Sequence, residues 1–173
     1  MNLKDIIRTI PNFPKEGIMF RDITTLLQNP EAFRYVINTL YDRYKVMGIS
    51  VVAAIESRGF IFGGALAYKL GASFVPLRKP GKLPWETERV EYELEYGKDS
   101  LEIHKDAVKK GDRVLIIDDL LATGGTGLAA AELIQKVGGE IVEFACIVNL
   151  PDLKGEEKLK GLPVFYMTEF KGE

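Results

Sequence analysis

The stretch VLIIDDLLATGGTG, residues 114–127, sets an apolar run against two adjacent carboxylates, Asp118 and Asp119, and then a loop of small residues. The apolar run predicts a buried strand that delivers both aspartates to its carboxyl end, where open α/β sheets bind their ligands. The following ATGGTG combines glycines, which let the backbone curl, with threonine hydroxyls, and it runs straight into LAAAELIQKV. Amides converging at a helix N-terminus make a phosphate cradle. No Lys-Ser or Lys-Thr follows the glycines, so the loop is not a Walker A motif, and the GxGxxG spacing of dinucleotide sites is absent. Carboxylates accept hydrogen bonds from hydroxyls, whereas amides and hydroxyls donate to phosphate. Together they suit a ligand whose hydroxyls or bound divalent cation lie close to its phosphate, as a ribose 5-phosphate would present them. A strand-end acidic pair that only meets solvent and a helix N-terminus is the other reading of the same residues.

Other apolar runs predict the strands that must surround this one: SVVAAI (50–55), ASFVPL (72–77) and EIVEFACIVNL (140–150), with PVFYM as the last. Between them lie helical patterns. After Pro30, the segment 31–47 spaces Phe33, Val36, Ile37, Leu40, Tyr41 and Tyr44 along one helical face. Segments 59–70 and 126–137 read similarly, each closed by glycine. Continuous apolar strands alternating with helices imply an α/β fold with one doubly wound, mainly parallel sheet flanked by helices on both faces. Residues 89–104, RVEYELEYGKDSLEIH, break that rhythm with alternation on both sides of GKDS, a hairpin signal that places Val90, Tyr92, Leu94 and Tyr96 on one face. The preceding RKPGKLPWETE (78–88) favours an irregular loop, either a lid or a solvated excursion.

Bulk properties narrow the function classes. The chain has 173 residues, 46% of them hydrophobic, which suits one domain with its own core. Its net charge is −2 with no basic cluster, so the footprint of a nucleic-acid binder is missing. No apolar run reaches the ~18 residues of a membrane span, and the N-terminus lacks a secretory pattern, so a cytoplasmic protein is expected. The single cysteine, Cys146, lies inside an apolar run and is expected as a core thiol, unable to form an internal disulfide or a cysteine-built metal site. His104, the single histidine, falls at the end of the hairpin and reads as a surface or interface imidazole. The run KGEEKLKG (154–161) reads as a solvated helix face.

The string VLIIDDLLATGGT resembles the phosphoribosyl pyrophosphate motif of the type I phosphoribosyltransferases. NFPKEGIMFRDITTLL (12–27), AIESRGFIFGGALA (54–67), VPLRKPGKLP (75–84) and LEYGKDSLEIHKDAV (94–108) resemble the adenine-using branch of that family, in the same order. The resemblance implies a single phosphoribosyltransferase domain over 1–173, with residues 1–27 as a hood over the base and 78–104 as a mobile loop and hairpin. It also implies a magnesium-dependent transfer of phosphoribosyl to adenine, giving AMP and pyrophosphate in purine salvage, by a homodimer.

Site roles follow from the same resemblance. Asp118 and Asp119 would meet the ribose hydroxyls and the water shell of magnesium, with no direct protein ligand to the metal assigned, while Ala122, Thr123, Gly124, Gly125 and Thr126 hold the 5-phosphate. Arg58 would bind pyrophosphate as a planar donor fork, and Arg78, Lys79 and Lys82 would close over it from the lid. The Glu56–Ser57 bond is a place to look for a cis peptide. Glu95 would lie near base and ribose, with a role left open between proton acceptor and cation stabiliser, and Tyr96 would fold inward beside it. Met19, Phe20, Arg21 and Leu120 would form the adenine pocket, although Phe20 and Leu120 also suit a plain core. Trp85 takes no role. Two rivals remain at this level: an effector sensor built on the same fold, and the same transfer to orotate or a 6-oxopurine. The absence of an added DNA-binding element argues against the first, and the GIMFRD block against the second.

Overall fold

The computed structural model describes residues 1–94 and 96–172. An antiparallel pair, β1 (Arg8–Pro11) and β2 (Met19–Asp22), opens the chain, and helices α1 (Thr24–Leu27) and α2 (Pro30–Tyr44) follow. Asn29 caps α2 by accepting the amide N–H groups of Glu31 and Ala32, both at 3.1 Å, ahead of Pro30 in the first turn. Next come β3 (Val51–Ile55), α3 (Gly59–Leu70), β4 (Ser73–Leu77), and the hairpin strands β5 (Thr87–Glu93) and β6 (Lys98–His104). The chain closes with β7 (Arg113–Leu121), α4 (Gly125–Lys136), β8 (Glu140–Asn149), the single turn α5 (Gly155–Lys158) and β9 (Val164–Glu169).

Among the described residues, five strands form one all-parallel sheet in the order β4-β3-β7-β8-β9. The sheet separates two apolar clusters by simple alternation. Along β7, Leu115 and Ile117 pack toward Leu40, Phe62 and Leu66 of α2 and α3, while Val114 and Ile116 pack toward Leu133 and Ile134 of α4 and Leu101 and Ile103 of β6. Strand β7 therefore lies in the middle of the sheet with both faces covered, which fixes where its carboxyl end, and Asp118 with it, emerges. The doubly wound expectation is met. Cys146 is fully buried in the second cluster.

Three local expectations need correction. The hairpin pairs Glu93 with Lys98, so the chain reverses before Lys98 rather than at GKDS, whose last three residues already belong to β6. As β5 ends at Glu93, alternation does not carry beyond it: Leu94 is 48% exposed and Tyr96 80% exposed, with Lys15 Nζ 5.6 Å from the Tyr96 ring. Tyr96 does not fold inward in this structure. The KGEEKLKG run is not merely a solvated face, because Gly155 and Leu159 are buried and Glu156 accepts a 2.7 Å hydrogen bond from the buried Asn149. His104 accepts the Trp85 amide N–H at 3.4 Å, with the two rings edge-on at 6.5 Å.

Candidate active site

Asp118 and Asp119 occupy the last turns of β7 before the loop 122–124, and Gly124 begins the turn into α4 with φ of +86°. An L side chain at that φ is strained, which is the local reason for glycine there. The loop is also wedged from behind, since a Cβ on Gly155 would sit 2.4 Å from the Ala122 carbonyl oxygen, and one on Gly124 2.6 Å from the Gly155 carbonyl oxygen. First-turn amides of α4 have no intrahelical partner and face the cavity with the positive end of the helix dipole. That cavity, of about 200 Å³, is lined by Asp118, Leu120, Phe144 and residues 121–127.

The two carboxylates are not equivalent. Asp119 is 5% exposed and accepts Arg58 Nε at 2.5 Å, whereas Asp118 accepts the Asp119 amide N–H at 2.8 Å. Burial first, and then the neighbouring Asp119 carboxylate, push the Asp118 carboxyl well above the usual carboxylate range. For Arg58, burial opposes the charge, but Asp119 beside it more than compensates and raises its pKa. Arg58 starts α3, directly after a cis peptide at Glu56–Ser57, and its guanidinium lies 6.0 Å from the Phe20 ring.

A second cavity, of about 370 Å³, abuts the first and shares Leu120, Ala122 and Thr123 with it. Its other walls are Gly17, Ile18, Met19, Phe20 and Arg21 from the N-terminal pair and Leu150 and Leu153 beyond β8. All four residues expected around the base therefore line one apolar cavity. Arg21 is held at its rim by a 2.8 Å hydrogen bond from Nη1 to Thr9 Oγ1 and by Phe170, 4.4 Å below the guanidinium. Leu150 and Leu153 were missed because nothing in LPDLKG marks them as ligand-facing.

The lid cations are all engaged. Arg78 Nε and Lys82 Nζ donate to Glu56 at 3.3 and 3.0 Å, and Lys79 pairs through Nζ with Asp99 and with Tyr92 Oη, the latter at 2.8 Å. Burial opposes ionisation of Glu56, yet the Lys79 amide, Lys82 and Arg78 outweigh it and hold its pKa below the ordinary value. The structure thus brings Arg58 against the aspartate pair but parks Lys79 on the hairpin. Glu95 lies outside the described residues.

Among the described residues no group of three or more His, Cys, Asp or Glu side chains could hold an ion, and Asp119 is already committed to Arg58. A pair of strand-end carboxylates beside a phosphate loop fits a magnesium ion that keeps several waters and is carried in by phosphates rather than caged by protein. No helix of the described residues is long and apolar enough to cross a membrane.

Comparison with known proteins follows the same geometry. A family model described as the phosphoribosyl transferase domain matches residues 22–168. The chain is 56% identical over 173 residues to the adenine phosphoribosyltransferase of Desulfosudis oleivorans, and 61% identical over 177 residues to that of Chlorobium luteolum, in each case covering 100% of both chains. Among solved structures, it is similar to the adenine phosphoribosyltransferase of Thermoanaerobacter pseudethanolicus at a TM-score of 0.94 and 52% identity, covering 97% of this chain and 98% of that one. It is also similar to the Saccharomyces cerevisiae enzyme, crystallised with an imino-altritol bisphosphate and adenine, at a TM-score of 0.90 and 42% identity over 95% and 96% of the two chains. By fold, by site geometry and by sequence along its length, the chain belongs to the phosphoribosyl transferase domain family.

Proposed function

We propose that this chain transfers the 5-phosphoribosyl group of phosphoribosyl pyrophosphate to adenine, giving AMP and pyrophosphate in purine salvage. The observation that carries the reading is the pair of abutting cavities, one apolar and one lined by a glycine-rich loop, in a chain whose full-length relatives bear that enzyme name. A purine and a phosphorylated ribose need those two environments side by side.

The residues then take definite roles. Residues 122–126 receive the 5-phosphate on amides and hydroxyls, and Asp118 and Asp119 accept the ribose hydroxyls. Phe20 and Leu120 enclose the base, and main-chain groups of Met19 and Arg21 read its edge. Hypoxanthine carries an oxygen where adenine carries an amine, so it would leave polar groups unpaired, a mismatch that costs up to about 10⁴ in specificity. Arg58, Arg78, Lys79 and Lys82 face the pyrophosphate. As the bond from ribose C1 to pyrophosphate breaks and the bond to adenine N9 forms, negative charge gathers on the leaving group and positive charge on the sugar. The cations on one side and the Asp118 and Asp119 carboxylates on the other stabilise that separation. Asp118 and Asp119 would face the water shell of a magnesium ion, which when bound would supply further charge neutralisation there. Glu95 belongs to this proposal as the acceptor of the N9 proton or a stabiliser of the sugar cation.

Residues 1–27 act as the hood and 78–104 as the loop that closes and keeps water from the activated sugar. Cytoplasmic location and a homodimer complete the reading. Supporting the dimer, Ile61 and Tyr68 of α3 and Phe74 of the adjacent edge strand β4 are exposed at 42%, 91% and 39%.

The test is AMP formation from adenine, phosphoribosyl pyrophosphate and magnesium, run beside hypoxanthine, guanine and orotate. Turnover of adenine alone is expected. Preference for another base would overturn the pocket assignment, and ligand binding without turnover on any base would make the chain an effector sensor.

A further inference from the structure

Glu56 entered the sequence reading only as one half of a peptide bond, yet its side chain, 9% exposed, is where the root of the lid converges. Oε1 accepts the Lys79 amide N–H at 2.6 Å and Arg78 Nε at 3.3 Å, and Oε2 accepts Lys82 Nζ at 3.0 Å. The main chain around Arg78 is fixed independently. Its amide donates to the Glu102 carbonyl at 3.0 Å, and its carbonyl accepts from the Glu102 amide at 2.7 Å. The lid backbone would therefore stay near this position without Glu56, whereas the charged ends of Arg78 and Lys82 would not.

Two cations on long stems repel one another and lose rotamer freedom when ordered for a ligand. A carboxylate between them offsets the repulsion and orders them before the ligand arrives, which is how preorganisation raises affinity. The Glu56 side chain is 9% exposed while Arg78 and Lys82 remain 33% and 47% exposed, so each cation keeps a free face for an incoming anion. An exposed surface ion pair would contribute little and would not have this asymmetry. Two residues further on, Arg58 meets Asp119, so one short turn holds lid cations at one end and presents the site arginine at the other.

We propose that Glu56 is a positioning residue that gathers Arg78 and Lys82 into a ready cationic edge for the pyrophosphate group, acting through them and touching no reacting atom. The proposal rests on the function assigned above, because it takes those two cations as the pyrophosphate contacts.

Trp85, the single tryptophan, sits in the lid and reports ligand binding by fluorescence without any need for turnover. Binding of magnesium phosphoribosyl pyrophosphate is titrated this way in the wild type and in Glu56→Gln, Glu56→Asp, Lys82→Met and the Glu56→Gln, Lys82→Met double variant. KM for both substrates and kcat are measured alongside. Glutamine still accepts the Lys79 amide, so the fold is expected to survive, and aspartate keeps the charge should glutamine not. Glu56→Gln is expected to weaken phosphoribosyl pyrophosphate about tenfold, the size of one charge-assisted contact, with KM for adenine and kcat little changed. Glu56→Asp should fall between wild type and Gln, and the Gln effect should shrink in the Lys82→Met background. Unchanged or tighter binding in Glu56→Gln, equal loss for both substrates, aspartate weaker than glutamine, or full additivity with Lys82→Met would each overturn the proposal. Wild-type binding without AMP formation would sink the function assigned above while leaving this proposal standing.

Discussion

On the proposed reading the 122–126 loop and the 78–82 segment both receive anions, but they are built in opposite ways. Residues 122–126 offer backbone held by close packing against Gly155, with no room for one added carbon at Gly124 or at Gly155 itself. Residues 78–82 offer long charged side chains held by exchangeable ion pairs to Glu56 and Asp99. A backbone cradle is ready at no further ordering cost and cannot adapt. Charged side chains can reorient on their stems and meet a ligand with the face their internal carboxylate leaves free, at the expense of salt sensitivity. The difference matches what each end of the ligand requires: the 5-phosphate stays through the reaction, whereas the pyrophosphate must leave.

The largest effect that would break this contrast is expected from Gly155→Ala, behind the loop and outside the lining of either cavity. Its methyl group would meet the Ala122 carbonyl, so the loop must shift. We expect kcat/KM for phosphoribosyl pyrophosphate to fall by about 10²-fold and stability by about 2 kcal/mol, the range of an overpacked site; chemical denaturation and steady-state kinetics measure the two. A near-normal Gly155→Ala enzyme would mean the loop is softer than its packing indicates.

Next in size is Asp118→Asn. Its carboxyl pKa is raised by burial and by Asp119, so in the native state ionised Asp118 is a liability that grows as pH rises through the ordinary carboxylate range. The variant should lose about 10²-fold in kcat, and its melting temperature at pH 7 should rise by about 3 °C. A loss of both activity and stability would show the pair to be structural.

On the lid side the effects are expected to be smaller and salt-dependent. Lys79→Met removes the pairing to Asp99 and Tyr92, and should raise KM for phosphoribosyl pyrophosphate about fivefold at low salt and less at high salt. A salt-independent change would place Lys79 with the rigid half of the site.

The smallest effect is the pH response of the Glu56 cluster. Its native pKa lies below its unfolded value, so its stabilisation is present above the ordinary carboxylate range and is lost as pH falls through the lowered native value. Melting curves taken between neutral and acid pH should therefore fall more steeply for wild type than for Glu56→Gln.

The central strand, the Asp118–Asp119 pair near its end, the glycine loop and the longer helices are legible in the chain alone, because each is a local pattern of periodicity or turn chemistry. Alternation along β7 and the φ demanded at Gly124 are consequences of neighbouring residues alone. Folding alone places Leu150 and Leu153 in the wall of the apolar cavity, Gly155 behind the 122–124 loop, and Glu56 against Arg78 and Lys82. It also decided where hairpin alternation stops, leaving Tyr96 in solvent. Such contacts join residues far apart in the chain, and packing, which is blind to sequence separation, is what selects them.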